Sequence, residues 1–488
     1  MKNHGKIIIT QTGVLITPYH NHQNRYMEKI TSIYDSITHR GIPVTGFFID
    51  YENSPTCFIT HLHDTMFLQA QFPGYIVEYK KPTKGMNLTY KIDLNPEITP
   101  REAQTDILEQ VIRYKDYNQW FIHLSQGLGK TLLSVYLISY FNVKTLIMCF
   151  NKDILNQWMI TMNEKTNIDP KRILMIDDSA LLYHIAIGKF PSYNYDIFMC
   201  TPGLLSSFGK KYGYEMIDIV MEKLGIGFKI FDEAHRNITN IIKINAFSSI
   251  NKTLYLSGDF GQSDRTKEKL YFNIFKGVPI ITPSEQLMNT LKFTVALVVQ
   301  YNSRPSELER TSVFTRRGFS AYDYMKYQIR QDIFYDILDF IIANIRKTNK
   351  NGYKMLILVN MIEHVDLLYD RMTEKYGSEY VIGRYHSTVP EEEKTECREH
   401  ANMIISTYQS FSTGIDVALI KYVISCSICT KIDDNQASGR ARPLPDGSDA
   451  FYFMLADMGF SYTKKKLGTR LNYLKQTKIK NIEVIKYE

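Results

Sequence analysis

One stretch constrains the fold more than any other: FIHLSQGLGKTLLSVYLISYF, residues 121–141. An apolar run breaks on glycines and resumes with helical spacing, so a strand passes through a glycine loop directly into a helix. Gly127 and Gly129, with Gln126 in the same loop, let the backbone turn its N–H groups toward an anion. The helix N-terminus adds a partial positive charge. Lys130 can reach the outer phosphates of a nucleotide, and the Thr131 hydroxyl can hold Mg²⁺. The segment therefore implies a nucleotide site.

The surrounding pattern agrees. From 99 to 285, short apolar runs such as KTLIMCF, YDIFMCTP, FKIFDEAH and KTLYLSGD end in Gly, Ser, Thr, Asp or Asn, where a helix or loop begins. That alternation predicts a parallel sheet wrapped by helices. The stretch 260–350 is less regular, and the alternation then returns in KMLILVN, NMIISTY, KYVISCSI and DAFYFMLA. The expected architecture is α/β: a small α/β domain over 1–98, a first sheet over 99–285, and a second over 286–488 with a basic C-terminal tail. In FKIFDEAHR (228–236), Asp232 at a strand end suits a metal carboxylate, and Glu233 suits a residue that polarises a water.

Composition narrows the class. Lysine and arginine exceed acids by 58 to 51, a net charge of +7 that permits a polyanionic partner without demanding one. The six cysteines are scattered, and Cys426 and Cys429 lie in an apolar run with no second pair to complete a zinc site. HNH at 20–22 and HLH at 61–63 lack an acidic framework and read as loop histidines. No apolar run is long enough to span a bilayer, and the N-terminal run is too short for a signal peptide, so a soluble protein of the cytoplasm, a host's if the chain is viral, is expected.

GLGKT followed by DEAH resembles a superfamily 2, DEAH-box helicase. The resemblance implies two tandem RecA-like domains, ATP and Mg²⁺ as cofactors, and further motifs. Gln104 in TPREAQTDIL resembles the adenine-reading segment. NKDILNQW, with Gln157, resembles motif Ia; CTPGLL, with Thr201, Pro202 and Gly203, resembles motif Ib; both touch nucleic-acid backbone in the family. YLSGD stands at motif III, with Gly258 and Asp259 departing from the usual Ala-Thr. KMLILVN resembles motif IV, and ISTYQSFSTGIDV resembles motif V, placing Thr407 on nucleic acid and Gly414 and Asp416 at the nucleotide. QASGRARP (436–443) resembles motif VI, Gln-x-x-Gly-Arg-x-x-Arg. Gln436, Gly439 and Arg440 match, but the final arginine position is Pro443. Arg442, one place early, is expected to serve as the arginine that stabilises the transition state, with Arg440 acting alone as the alternative.

HLSQGLGKT with NKDILNQW looks like the viral branch of the superfamily that includes the poxvirus transcript-release helicase. STYQSFSTGI and RLNYLKQTKIKNIEVIKY look like phage UvsW-type branch-migration helicases. Lys464, Lys465, Lys466 and Arg470 in the tail are expected to meet phosphates. The expectation is an ATP-dependent DNA helicase that remodels forked, branched or annealed DNA, alongside viral replication or recombination proteins. An RNA or R-loop helicase is the alternative, and a motor subunit driving a partner machine the second.

Overall fold

The computed structural model describes residues 4–18, 58–60, 66, 69–70, 72–124, 128–258, 275, 277–290, 292–316, 318–349, 351–412, 417–429, 431–441, 444–475 and 479–488. His20, His22, His39, His61, His63, Cys57 and the helical pattern over 24–38 lie outside them. Two compact units divide the chain, the first holding the described residues up to 284 and the second those from 285 onward.

Within the first unit, β1 (Gly5–Ile9) and β2 (Val14–Pro18) form the expected hairpin, extended by β3 (Phe58–Thr60) and β4 (Tyr75–Tyr79) in the order β3-β2-β1-β4. A second sheet contains β5 (Gln119–His123), β6 (Thr145–Met148), β7 (Ile173–Met175), β8 (Ile197–Cys200), β9 (Phe228–Phe231), β10 (Lys252–Ser257) and β11 (Ile280–Ile281). Its order is β11-β5-β10-β9-β6-β8-β7, with every pairing parallel. Helices cover both faces, which is why all residues of β6, β8 and β9 are buried and their sequences run apolar without alternating. In an all-parallel sheet the strand ends collect along one edge, and ligands bind there.

The N-terminal sheet is stitched onto this unit at the opposite edge. The hydroxyls of Thr10 and Thr12 both donate to the Asn245 carbonyl, at 3.2 and 2.9 Å. Lys229, second residue of β9, is fully buried and donates to Thr12 Oγ1, Asn245 Oδ1 and Ser248 Oγ at 3.3, 2.8 and 2.9 Å. The irregular segment that follows, residues 80–96, runs along the unit through backbone bonds from Thr83 to Ser249, Met86 to Gly225 and Asn95 to Lys165. Gly85 passes so close to Gly227 that a Cβ would lie 2.3 Å from its Cα.

The second unit carries β12 (Thr294–Tyr301), a small hairpin β13 (Phe314–Thr315) and β14 (Gly318–Phe319), then β15 (Lys354–Val359), β16 (Ile382–Tyr385), β17 (Met403–Thr407), β18 (Ile420–Ser425), β19 (Ala450–Asp457) and β20 (Ile479–Lys486). Its main sheet runs β16-β17-β15-β18-β19-β12-β20, again parallel throughout. TVALVVQY, in the stretch read as irregular, is therefore an interior strand. The basic tail is the helix Ser461–Leu474 followed by an edge strand. Among the described residues no helix is long and apolar enough to cross a membrane.

Candidate functional site

In the first unit the glycine loop and the acidic strand end meet at the C-terminal edge of the sheet. Gly129 caps the helix Lys130–Phe141 with φ +82°, a conformation suited to glycine, and a Cβ there would sit 2.3 Å from Gln104 Nε2. Gln104 Nε2 donates to the carbonyls of Leu128 and Gly129 at 3.3 and 3.1 Å, while its Oε1 accepts the Arg101 N–H at 2.8 Å. The residue expected to read a base thus holds the backbone of the phosphate loop. Gln126 and Gly127 lie outside the described residues, and Thr131 occupies the second helical position, half-buried.

Across from the loop, β9 sits between β10 and β6 and delivers Asp232 and Glu233. Lys130 Nζ donates to Glu233 Oε1 at 2.7 Å, with both side chains about nine-tenths buried. Burial pushes the Glu233 carboxyl up, but Lys130 first and then His235 and Arg236 more than offset it, holding its pKa at about 2. Glu233 has φ +49°, strained for a residue with a Cβ, and so aims its carboxylate back at the loop. Burial raises the Asp232 pKa, with the Glu233 charge adding to it, and Lys130 and the Trp158 hydrogen bond oppose the rise. Asp232 Oδ2 accepts the Trp158 indole N–H at 2.9 Å, and Oδ1 accepts the Glu233 N–H at 2.9 Å. Trp158 as the orienting group for Asp232 was not singled out in the sequence; its signal was the tryptophan ending NKDILNQW. His235 Nδ1 lies 2.8 Å from Ser257 Oγ and 3.3 Å from Glu233 Oε2, tying the acidic pair to the end of β10. Asp259 lies outside the described residues.

Beside this edge, a groove of about 250 Å³ opens between the start of the helix Lys152–Lys165 and that of Pro202–Tyr212. Lys152, Asp177, Thr201, Gly203 and Ser207 line it with Leu155 and Met175. Thr201 Oγ1 accepts the Leu204 N–H at 3.2 Å and caps the second helix, with Pro202 at its first position. Gln157 is half-buried and does not line the groove; Pro202 is buried.

In the second unit several expectations need correction. Arg470, expected on phosphates, is 5% exposed and donates to fully buried Asp434 through Nε and Nη2, each at 2.6 Å. Tyr452 Oη and Cys429 Sγ also donate to Asp434, so Cys429 is a core thiol. A buried arginine spent on a carboxylate is lost to nucleic acid. Thr407 is likewise buried, its hydroxyl accepting the Ser410 N–H at 3.0 Å and donating to Ser410 Oγ at 2.8 Å. Lys464, Lys465 and Lys466 are exposed on the tail helix. Arg440 is 6% exposed, its guanidinium 5.7 Å from the Phe411 ring. Gly414, Asp416, Arg442 and Pro443 lie outside the described residues. Gln436 lies on the helix Lys431–Ser438, its side chain outside the description.

Known proteins align with both units. The family described as "Type III restriction enzyme, res subunit" matches residues 97–260, and "Helicase conserved C-terminal domain" matches 334–442. Transcript termination protein A18 of Yaba-like disease virus is 24% identical over 378 residues, covering 75% of this chain and 74% of that protein. Its counterpart in fowlpox virus (strain NVSL) is 22% identical over 392 residues, covering 75% and 79%. Among solved structures, S. cerevisiae Dbp5 bound to RNA and ADP BeF3 has a TM-score of 0.53 at 12% identity, covering 80% of this chain and 90% of that one. Mss116p bound to ssRNA and AMP-PNP has a TM-score of 0.51 at 16% identity, covering 80% and 74%. These likenesses bear on the fold, two RecA-like domains in tandem. With the first of these models over the first parallel sheet and the helicase model over the second, the chain is a superfamily 2 helicase, a nucleic-acid-dependent ATPase.

Proposed function

We propose that the chain is an ATP- and Mg²⁺-driven motor that displaces RNA from a transcription intermediate. The likeness along three quarters of its length to proteins named for transcript termination carries this reading of the substrate. Fork and junction remodelling on DNA is the second reading, favoured by the resemblance of STYQSFSTGI to branch-migration enzymes.

The chemistry follows from the Lys130–Glu233 pair. An entering triphosphate offers Lys130 oxygens of higher charge than one carboxylate. As Lys130 turns to them, Glu233 loses the cation that keeps it weakly basic and becomes a better acceptor for a water proton. Base strength then arrives together with the γ-phosphate. Asp232 accepts one N–H on each oxygen from the described residues, leaving lone pairs free on a buried carboxylate, which suits a hard cation. With the Thr131 hydroxyl it would hold Mg²⁺, whose contribution is to neutralise triphosphate charge. Trp158 fixes the carboxylate plane, and His235 holds Glu233 against Ser257.

ATP hydrolysis would be followed without polymer, then with single-stranded DNA, duplex, fork, four-way junction, RNA and an RNA–DNA hybrid, for the wild type and Glu233→Gln. Stimulation led by RNA or hybrid, with transcript release from a stalled polymerase complex, is expected. Stimulation led by forks or junctions would move the second reading first.

A further inference from the structure

Between β12 and the helix Asp332–Thr348, where about two to six residues would suffice, the chain inserts residues 302–331. The insert is built, not loose. A helix Glu307–Ser312, closed by a Ser306–Glu309 capping box, leads into the β13–β14 hairpin and then the helix Ala321–Gln328. Val313, Tyr324, Met325 and Tyr327 pack with Phe460 into a small core of their own. Phe319 on the hairpin stacks on Tyr462 with ring centroids 4.1 Å apart. At the root, Asp457 at the end of β19 accepts the N–H and hydroxyl of Ser303, at 3.1 and 2.7 Å, and the Gly459 N–H at 2.8 Å. Insert and tail helix therefore pack together as one projection.

Its position in the second unit is informative. β12 and β19 end on the edge where β15 and β17 release motifs IV and V. Asn360, the last residue of motif IV, donates to Met325 Sδ of the insert at 3.0 Å and to the Ile428 carbonyl at 2.8 Å. The surface combines cations with flat apolar faces. Arg304, Arg310, Arg316, Lys464 and Lys465 are exposed, and among the described residues none of them forms an ion pair. Residues 458–475 contain no acid. Phe314 on the hairpin is 47% exposed and Tyr322 is 49% exposed. Unpaired cations suit a phosphate backbone, and an exposed ring beside them suits a base face, which a purely acidic protein surface would not supply.

We propose that this projection is a separating wedge: its arginines and lysines grip the backbone where a duplex opens, and Phe314 stacks on the last base pair. The inference rests on the motor reading above. Phe314 meets Phe319 edge-on at 5.5 Å and lies outside the projection's core, so its removal spares the fold.

The test compares wild type, Phe314→Ala and Arg316→Glu in two assays: ATP hydrolysis saturated with single-stranded nucleic acid, and displacement of a labelled strand from a tailed duplex. Loss of one stacked base and one phosphate contact should cut displacement ~10-fold or more, while stimulated hydrolysis stays within about twofold. Arg316→Glu should also bind the tailed duplex with a shallower salt dependence. Displacement within about twofold of wild type in both variants overturns the wedge. So does an equal fall in hydrolysis, which would assign the projection to the motor cycle. A wild type whose hydrolysis no nucleic acid stimulates would instead sink the motor reading.

Discussion

Replacing Asp434 by alanine should damage the second unit more than almost any other single change. Asp434 is 0% exposed and Arg470 5%, and two bonds of 2.6 Å join them. Breaking a buried pair from one side costs about 3–5 kcal/mol, against a typical domain stability of roughly 5–15. The two sides are not equivalent. Arg470 cannot shed its proton, so Asp434→Ala leaves a buried cation with the Ser425 hydroxyl, at 3.1 Å, as its remaining acceptor among these partners. Arg470→Met leaves a carboxyl that can take up a proton and keep its bonds to Tyr452 and Cys429, so it should cost less, about 2–3 kcal/mol. Asp434→Leu with Arg470→Met removes both charges and should recover most of the loss. Urea unfolding measures all four proteins, with the units resolved separately. Both tryptophans, Trp120 and Trp158, lie in the first unit, so fluorescence reports that unit and should not move. Amide exchange of β18 and β19 reports the second. Single variants costing less than about 1 kcal/mol, or a double variant worse than Asp434→Ala, would refute the reasoning.

Gly129→Ala should lower nucleotide affinity at least ~10-fold, because the new Cβ collides with Gln104 in a left-handed position; equilibrium binding of a fluorescent ATP analogue checks it. Trp158→Phe removes the N–H that orients Asp232 and should raise the Mg²⁺ concentration for half-maximal hydrolysis about 10-fold or more, with turnover recovering at high Mg²⁺. Burial lowers the Lys229 pKa from 10.5 to about 7. The unfolded chain then binds the extra proton between these values, so stability should rise with pH from 7 to 10.5, by at most about 5 kcal/mol at roughly 1.4 kcal/mol per pH unit. Wild type minus Lys229→Met, compared in urea at pH 7 and 9.5, isolates the effect; a difference independent of pH would refute it.

The two parallel sheets and the phosphate-loop lysine were legible because each depends on local chemistry: apolar runs buried on both faces, and a loop whose anion site needs only neighbours in sequence. Trp158 on Asp232 was not, since the contact exists only because β6 and β9 are adjacent. TVALVVQY was missed because an eight-residue strand entered from an irregular stretch carries no helix to mark its place. Arg470 was misread for a different reason. Charge density suggested a surface, yet Thr463, Leu467, Arg470 and Leu474 are spaced as one buried helical stripe. Periodicity held the answer that composition hid.

The bond between Thr12 and Lys229 also has a mechanical side. Lys229 lies three positions before Asp232 on one strand, so a load on the N-terminal sheet reaches the catalytic strand through side-chain bonds and strand backbone, with no flexible tether between. The N-terminal sheet is thus anchored to the strand that leads into the acidic pair, so force applied to the one is borne by the other.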